Sequence, residues 1–212
     1  MNHRPEHPGV CFVTSRTTTA NRPLQEVAKA TIEGGCDLLQ VREKDLPGGP
    51  LLTLAREIVE VAKPRGARCR VVVNDRLDVA LAAKAAGVHL PADGLSIDQA
   101  RRAAGKRFVI GRSVHSIVEA RQAQKDGADY LFFGPVFETP SKTAFGPPQG
   151  PDALRKIVEA VRIPVWAIGG ITPATAARLR GIAIAGVAAI SFIAAAPDPA
   201  DAVRALRSAL SG

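Results

Sequence analysis

DGADYLFFG, residues 126–134, is one copy of a phrase that this chain repeats: a glycine, an acidic or small residue, then a short apolar run that stops at glycine or polar residues. GGCDLLQV (34–41), AAGVHLP (85–91) and IAGVAAIS (184–191) are degenerate copies of it. Eight apolar runs of this kind occur, at 10–15, 37–44, 70–75, 87–91, 108–115, 130–135, 164–170 and 186–191. Between them lie segments whose apolar residues recur at three- and four-residue steps, the spacing of an amphipathic helix. They cover 23–34, 49–63, 78–86, 96–105, 117–127, 150–161 and 172–181, with a last one at 197–210. Several close on a glycine just before the next run, where it supplies a left-handed helix stop. Ser96 and Thr172 stand where capping side chains start helices. Eight strands alternating with eight helices, with no linker or low-complexity tract, predict one (β/α)8 TIM barrel domain over residues 1–212. A doubly wound open sheet is the other arrangement of such units. The segment after the first run, TSRTTTANRP (14–23), lacks the glycine-rich loop that dinucleotide-binding sheets of that kind carry.

Composition narrows the class further. Of the 212 residues 46% are hydrophobic, yet the aromatics amount to seven Phe, one Trp and one Tyr. A core built from Ala, Val, Leu and Ile suits strands buried on both faces, as in parallel sheets. No apolar run reaches the roughly 18 residues of a membrane helix, and the N-terminal MNHRPEHPGV has no signal-peptide core. A cytoplasmic protein without a membrane partner is expected. The three cysteines, Cys11, Cys36 and Cys69, lack metal-ligand spacing and are expected to be reduced, buried thiols. The net charge is +8, but the cations are dispersed and no basic run is interleaved with aromatics. Nucleic-acid binding is therefore not expected, and a few placed cations for a phosphorylated substrate fit better.

The chemistry sits at the ends of the runs. Side chains alternate along a strand, so DLLQVREK places Leu38, Gln40, Arg42 and Lys44 on one face, toward the barrel mouth. Arg42 and Lys44 form an anion clamp there, beside Gln40. The third run ends in Asn74 and Asp75, an amide and a carboxylate able to meet substrate polar atoms or one Mg²⁺. The fifth ends in GRSVHS, where Ser113 and His115 share a face. A histidine at a strand end is a natural proton carrier near neutral pH, whereas His89, deeper in its strand, is expected to be a hydrogen-bonded core group. The sixth runs into GPVFETPSKTAFG, whose Thr139, Ser141 and Lys142 suit a loop that closes over phosphate. Gly169 and Gly170 after the seventh run, and Ser191 after the eighth, stand where barrel enzymes commonly hold phosphate.

Taken in order, QVREK, VNDR, GVHLP, GRSVHS, DYLFFGPVFETPSK, PVWAIGGI and the final AIS resemble the thiamine phosphate synthase/TenI superfamily of barrels, from about residue 10 to about residue 210. Two activities share that pattern. The synthases join a hydroxymethylpyrimidine diphosphate to a thiazole phosphate. For them the resemblance implies that Arg42, Lys44, Asn74 and Lys142 bind the diphosphate and that Asp75 holds Mg²⁺. The second metal aspartate of that pattern falls at Gly94, with Asp93 one position early, and Ser141 replaces a threonine. Those departures, with GRSVHS and FETPSK, are more similar to the TenI-type thiazole tautomerases, which bind only the thiazole phosphate. The activity expected from the resemblance is thus thiazole tautomerisation without a cofactor. In it His115 moves the proton, Gly169, Gly170 and Ser191 hold the phosphate, and Arg42 or Lys44 meets a substrate carboxylate. Gln40, Asn74, Ser113, Thr139, Ser141 and Lys142 complete the substrate shell. Thiamine phosphate synthase with Mg²⁺ at Asp75 is the alternative, and a non-catalytic ligand-binding regulator a second one. The resemblance also suggests a homodimer.

Overall fold

The computed structural model describes residues 8–63, 69–139 and 147–212. Eight parallel strands close into a barrel in chain order. They are β1 Gly9–Val13, β2 Leu38–Val41, β3 Arg70–Asn74, β4 Gly87–Leu90, β5 Val109–Val114, β6 Tyr130–Phe133, β7 Val165–Ile168 and β8 Gly186–Ala189. Helices fill the connections: α1 Leu24–Glu33, α2 Gly48–Ala62, α3 Leu77–Ala82, α4 Ile97–Ala104, α5 Ile117–Lys125, α6 Gly150–Ala160 and α7 Pro173–Ala177. Two more follow β8, α8 Ser191–Ala194 and α9 Pro199–Ser211. The expected TIM barrel is the fold observed. Sequence periodicity misses α8, because four residues cannot display a helical period. It also overextends α7, which after Ala177 tightens into i→i+3 turns at Arg178, Leu179 and Ile182. Among the described residues, no helix is long and apolar enough to cross a membrane.

Alternation along the strands sorts the core into two layers. Val10, Phe12, Leu39, Val41, Val71, Val73, Val88, Leu90, Leu131 and Phe133 face the helices. Cys11, Val13, Leu38, Val72, Tyr130, Phe132 and Ala188 face inward, with Trp166 and Ile168 packed on them. Three of the nine aromatics, Tyr130, Phe132 and Trp166, fill the barrel interior. Phe132 lies 4.4 Å from the His89 ring centroid and 6.4 Å from that of Trp166. Large inward residues need small ones opposite them. A Cβ at Gly186 would lie 2.5 Å from Trp166 Cζ3 and 2.3 Å from the Gly9 carbonyl oxygen, and one at Gly111 would lie 2.1 Å from the Tyr130 ring. Gly186→Ala is expected to destabilise the barrel by about 1–3 kcal/mol, the usual cost of overpacking. Urea unfolding measures this, and a change within about 0.5 kcal/mol, typical of surface substitutions, would contradict the packing argument.

The acidic residue of the repeated phrase has a structural task. Asp37 accepts a hydrogen bond from the Val10 amide at 2.8 Å, and Asp129 accepts one from the Ile110 amide at 2.7 Å. Each closes the start of the neighbouring strand and is met by an arginine, Arg207 at 2.6 Å and Arg101 at 2.7 Å. These ties lie at the end of the barrel opposite the mouth. Cys11 and Cys36 are buried nearby, and burial pushes both thiols up, out of the reactive range. Cys69 is half-buried.

Candidate active site

The C-terminal ends of β1, β2, β6, β7 and β8 line a cavity of about 900 Å³. One wall comes from the segments after β6, β7 and β8, including Phe137, Thr139, Gly169, Gly170, Ile190 and Ser191; Arg42, Ser15 and Thr18 stand on the β1–β2 side. Gly169 and Gly170 adopt φ of +100° and +64°, a region that disfavours other L residues. The segment after β6 packs directly on them: a Cβ at Gly169 would lie 2.7 Å from Pro135 Cα, and one at Gly170 2.4 Å from the Glu138 carbonyl oxygen. The Phe137 amide donates to the Gly169 carbonyl at 3.1 Å. Thr175 braces the turn from α7. Its hydroxyl donates to the Gly170 carbonyl at 2.8 Å, while Thr172 and Thr175 cap the helix reciprocally. Arg178 lies over the Phe137 ring, 5.1 Å from its centroid, at the cavity edge.

Arg42 reaches the cavity from the end of β2. Its amide donates to Thr14 Oγ1 at 2.8 Å, and that hydroxyl donates to Glu43 Oε1 at 2.6 Å. Glu43, although charged, is only 5% exposed. It also accepts from the Arg16 amide at 3.0 Å. A buried carboxylate thereby locks the ends of β1 and β2 together and fixes where Arg42 emerges. Burial pulls the Arg42 guanidinium below the usual arginine range, and Glu43 opposes that shift; an arginine so placed stays cationic. Sequence reading missed the Thr14–Glu43 pair. Its signal was a glutamate on the helix-facing side of a buried strand end, where a charge needs a partner. Lys44 is exposed.

The inner faces of β2 to β6 carry a second set of polar groups. Gln40, 2% exposed, donates from Nε2 to Asn74 Oδ1 at 2.9 Å. That bond occupies the amide oxygen of Asn74 and leaves its NH₂ as donor. His89 is buried as expected, with Nδ1 3.1 Å from the Tyr130 hydroxyl and Nε2 2.9 Å from Ser113 Oγ. Asp75 follows Asn74 at φ +62°, with an exposed side chain. Opposite it runs the segment after β4. A Cβ at Gly94 would point at Asp75, 3.0 Å from Oδ1. Arg112 pins that segment by donating to the Leu95 and Ala92 carbonyls at 2.8 and 2.9 Å. Among the described residues, no group of three His, Cys, Asp or Glu is placed to hold a metal.

The structure thus brings Arg42, Thr139, Gly169, Gly170 and Ser191 together around the cavity, and Gln40, Asn74 and Ser113 onto the inner strand faces. His115 stands outside the cavity lining. Its Nδ1 donates to the Gly134 carbonyl at 2.7 Å and its amide donates to Glu119 at 2.8 Å. Ser141 and Lys142 lie outside the described residues.

The family model described as thiamine monophosphate synthase matches residues 10–193. The chain belongs to that family. A thiamine-phosphate synthase of Roseiflexus castenholzii is 40% identical over 95% of this chain and 88% of its own length. A putative thiamine-phosphate synthase of Geobacter sulfurreducens is 43% identical over 94% of this chain and 92% of its own. Among solved structures, a thiamine phosphate pyrophosphorylase from Pyrococcus furiosus superposes with a TM-score of 0.86 at 35% identity, covering 95% of both chains. Membership makes the chain one of a family of thiamine-biosynthesis enzymes acting on small phosphorylated substrates. The same relatives overturn the expected tautomerase activity, because these proteins, similar over nearly the whole chain, are named thiamine-phosphate synthase or thiamine phosphate pyrophosphorylase. The tautomerase reading gave weight to the GRSVHS and FETPSK segments and to the missing carboxylate at residue 94. Those are local departures, whereas the likeness to synthases extends from β1 to α9.

Proposed function

We propose that the chain is a thiamine phosphate synthase, a transferase that joins hydroxymethylpyrimidine diphosphate to thiazole phosphate and releases diphosphate. The carrying observation is a mouth with two distinct polar regions. The glycine turn and Ser191 stand at one wall of the cavity, and the Gln40–Asn74 and His89–Ser113 pairs lie on the inner faces of β2 to β5. A tautomerase needs room for one phosphorylated ring; two regions suit two ligands. In the reaction the bond between the pyrimidine methylene and diphosphate oxygen breaks, and the diphosphate leaves with the electron pair. The thiazole nitrogen then supplies its lone pair to the methylene, giving the thiazolium product.

Gly169, Gly170 and Ser191 hold the thiazole phosphate, so that the ring nitrogen faces inward. Arg42, with Lys44 and Lys142, binds the diphosphate and balances the charge that it gains on leaving. The Asn74 NH₂ donates to the same ligand, its direction set by Gln40. Ser113 meets the pyrimidine. Asp75 would hold Mg²⁺: one exposed carboxylate fits a cation that takes one or two carboxylates together with substrate phosphates and water. When bound, that ion neutralises the leaving group. A cytoplasmic location accords with this reading.

Incubation of the purified protein with both substrates and Mg²⁺ is expected to give thiamine phosphate and diphosphate in equal amounts, and a chelator is expected to stop it. Absence of product with both substrates and Mg²⁺ present would overturn the proposal.

A further inference from the structure

His89 sits in the barrel interior between two hydroxyls, those of Tyr130 and Ser113. A neutral imidazole carries one N–H, so two arrangements are open. With the proton on Nδ1, His89 would donate to the Tyr130 oxygen and Ser113 would donate to Nε2. The Tyr130 O–H would then need a second acceptor. Tyr130 is 5% exposed and packed against Phe132, and among the described residues its hydrogen bond is to His89. A buried donor left without an acceptor is the costly outcome. With the proton on Nε2, Tyr130 donates to Nδ1 and Nε2–H donates to Ser113 Oγ, which leaves no donor orphaned. Burial pushes the Tyr130 phenol well above the usual tyrosine range, so it remains a donor. Residue 111, which pairs with both His89 and Tyr130, is glycine. A Cβ there would lie 2.5 Å from the Tyr130 hydroxyl, so the barrel keeps space for that one oxygen.

We infer that Tyr130 and His89 are positioning residues that fix the polarity of Ser113: the serine accepts from His89 and offers its own proton to a ring-nitrogen acceptor of the pyrimidine substrate. The assignment of that substrate rests on the synthase reading; the tautomer does not. Ser113 then selects a heteroaromatic ring by an acceptor atom, and Tyr130 acts on it from two side chains away.

Nitrogen-15 NMR of histidine-labelled protein at neutral pH, with His89 assigned through its loss in His89→Asn, is expected to show the Nε2–H tautomer in the wild type. In Tyr130→Phe, which removes one oxygen and keeps the ring, both tautomers are expected. Tyr130→Phe should also raise KM for the pyrimidine diphosphate roughly ten-fold, the size of one hydrogen bond, and leave KM for the thiazole phosphate unchanged. In a Ser113→Ala background the same substitution should add nothing, a result that a purely structural role for Tyr130 would not produce. An Nδ1–H tautomer in the wild type, an unchanged KM in folded Tyr130→Phe, or effects that multiply in the double variant would overturn the inference. If the wild-type protein makes no thiamine phosphate, the synthase reading fails, and the tautomer still decides whether the relay exists.

Discussion

Arg42→Met is expected to lower kcat/KM by on the order of 10²–10³-fold, comparable to removing a single preorganised donor from a charge-stabilising site, with little change in stability. The frame that presents Arg42 does not depend on its guanidinium. Thr14 Oγ1 holds the Arg42 amide, and Glu43 holds Thr14 and the Arg16 amide. Methionine keeps the apolar stem of the side chain and deletes only the charge. What is lost is a half-buried cation that lines the cavity, partly stripped of water and therefore stronger toward an anion than a surface lysine would be. Arg42→Lys should recover only part of the activity, because an ammonium cannot reproduce the two-pronged contact of guanidinium with phosphate oxygens. Steady-state diphosphate release together with thermal melting measures both statements. A fall of less than about ten-fold, one hydrogen bond's worth, would mean that Lys44 or Lys142 carries the diphosphate and that the position of Arg42 is incidental.

How much of this was legible beforehand follows from the range of the forces involved. Strand alternation and the glycine stops are local, so the eight strands and the barrel could be read from periodicity, and Gln40 could be placed on the inner face of β2. His89 as a bonded core group also follows from its place within a strand. Glu43 could not be understood this way, because its partners Thr14 and Arg16 lie 29 and 27 positions away and meet it only when β1 and β2 pair. The glycines after β7 were expected for their backbone N–H groups. The structure adds that the segment after β6 occupies the space where their side chains would stand, a contact between strands 6 and 7 that no spacing encodes. The activity was misjudged for a related reason: local departures in the segments after β4, β5 and β6 were weighed against a likeness that extends over nearly the whole chain.

Asp75→Asn is expected to reduce activity by about 10²-fold or more, the scale of several kcal/mol that a bound cation contributes to transition-state charge. The size of this effect follows from what faces Asp75. Gly94 occupies the position from which a side chain would point at its carboxylate, and the segment carrying Gly94 is anchored by Arg112 rather than free to move a different residue inward. Among the described residues no group of three acidic, histidine or cysteine side chains gathers around Asp75, so substrate phosphates and water must supply most of the ligands, and Mg²⁺ and diphosphate should bind interdependently. Gly94→Asp tests that arrangement in the opposite direction. It places two carboxylates within a few ångströms, which without Mg²⁺ should cost about 1 kcal/mol of stability through like-charge repulsion at a wet surface. Crowding against Pro91 adds to that cost. Mg²⁺ should then raise the melting temperature of Gly94→Asp more than that of the wild type, since an ion that binds the folded state stabilises it in proportion to its affinity. Activity of this variant should saturate at lower Mg²⁺ than wild type. If Mg²⁺ shifts the melting of Gly94→Asp no more than that of the wild type, or if Asp75→Asn retains full activity, then Asp75 is not the cation's ligand and the diphosphate is neutralised by Arg42 and the lysines alone.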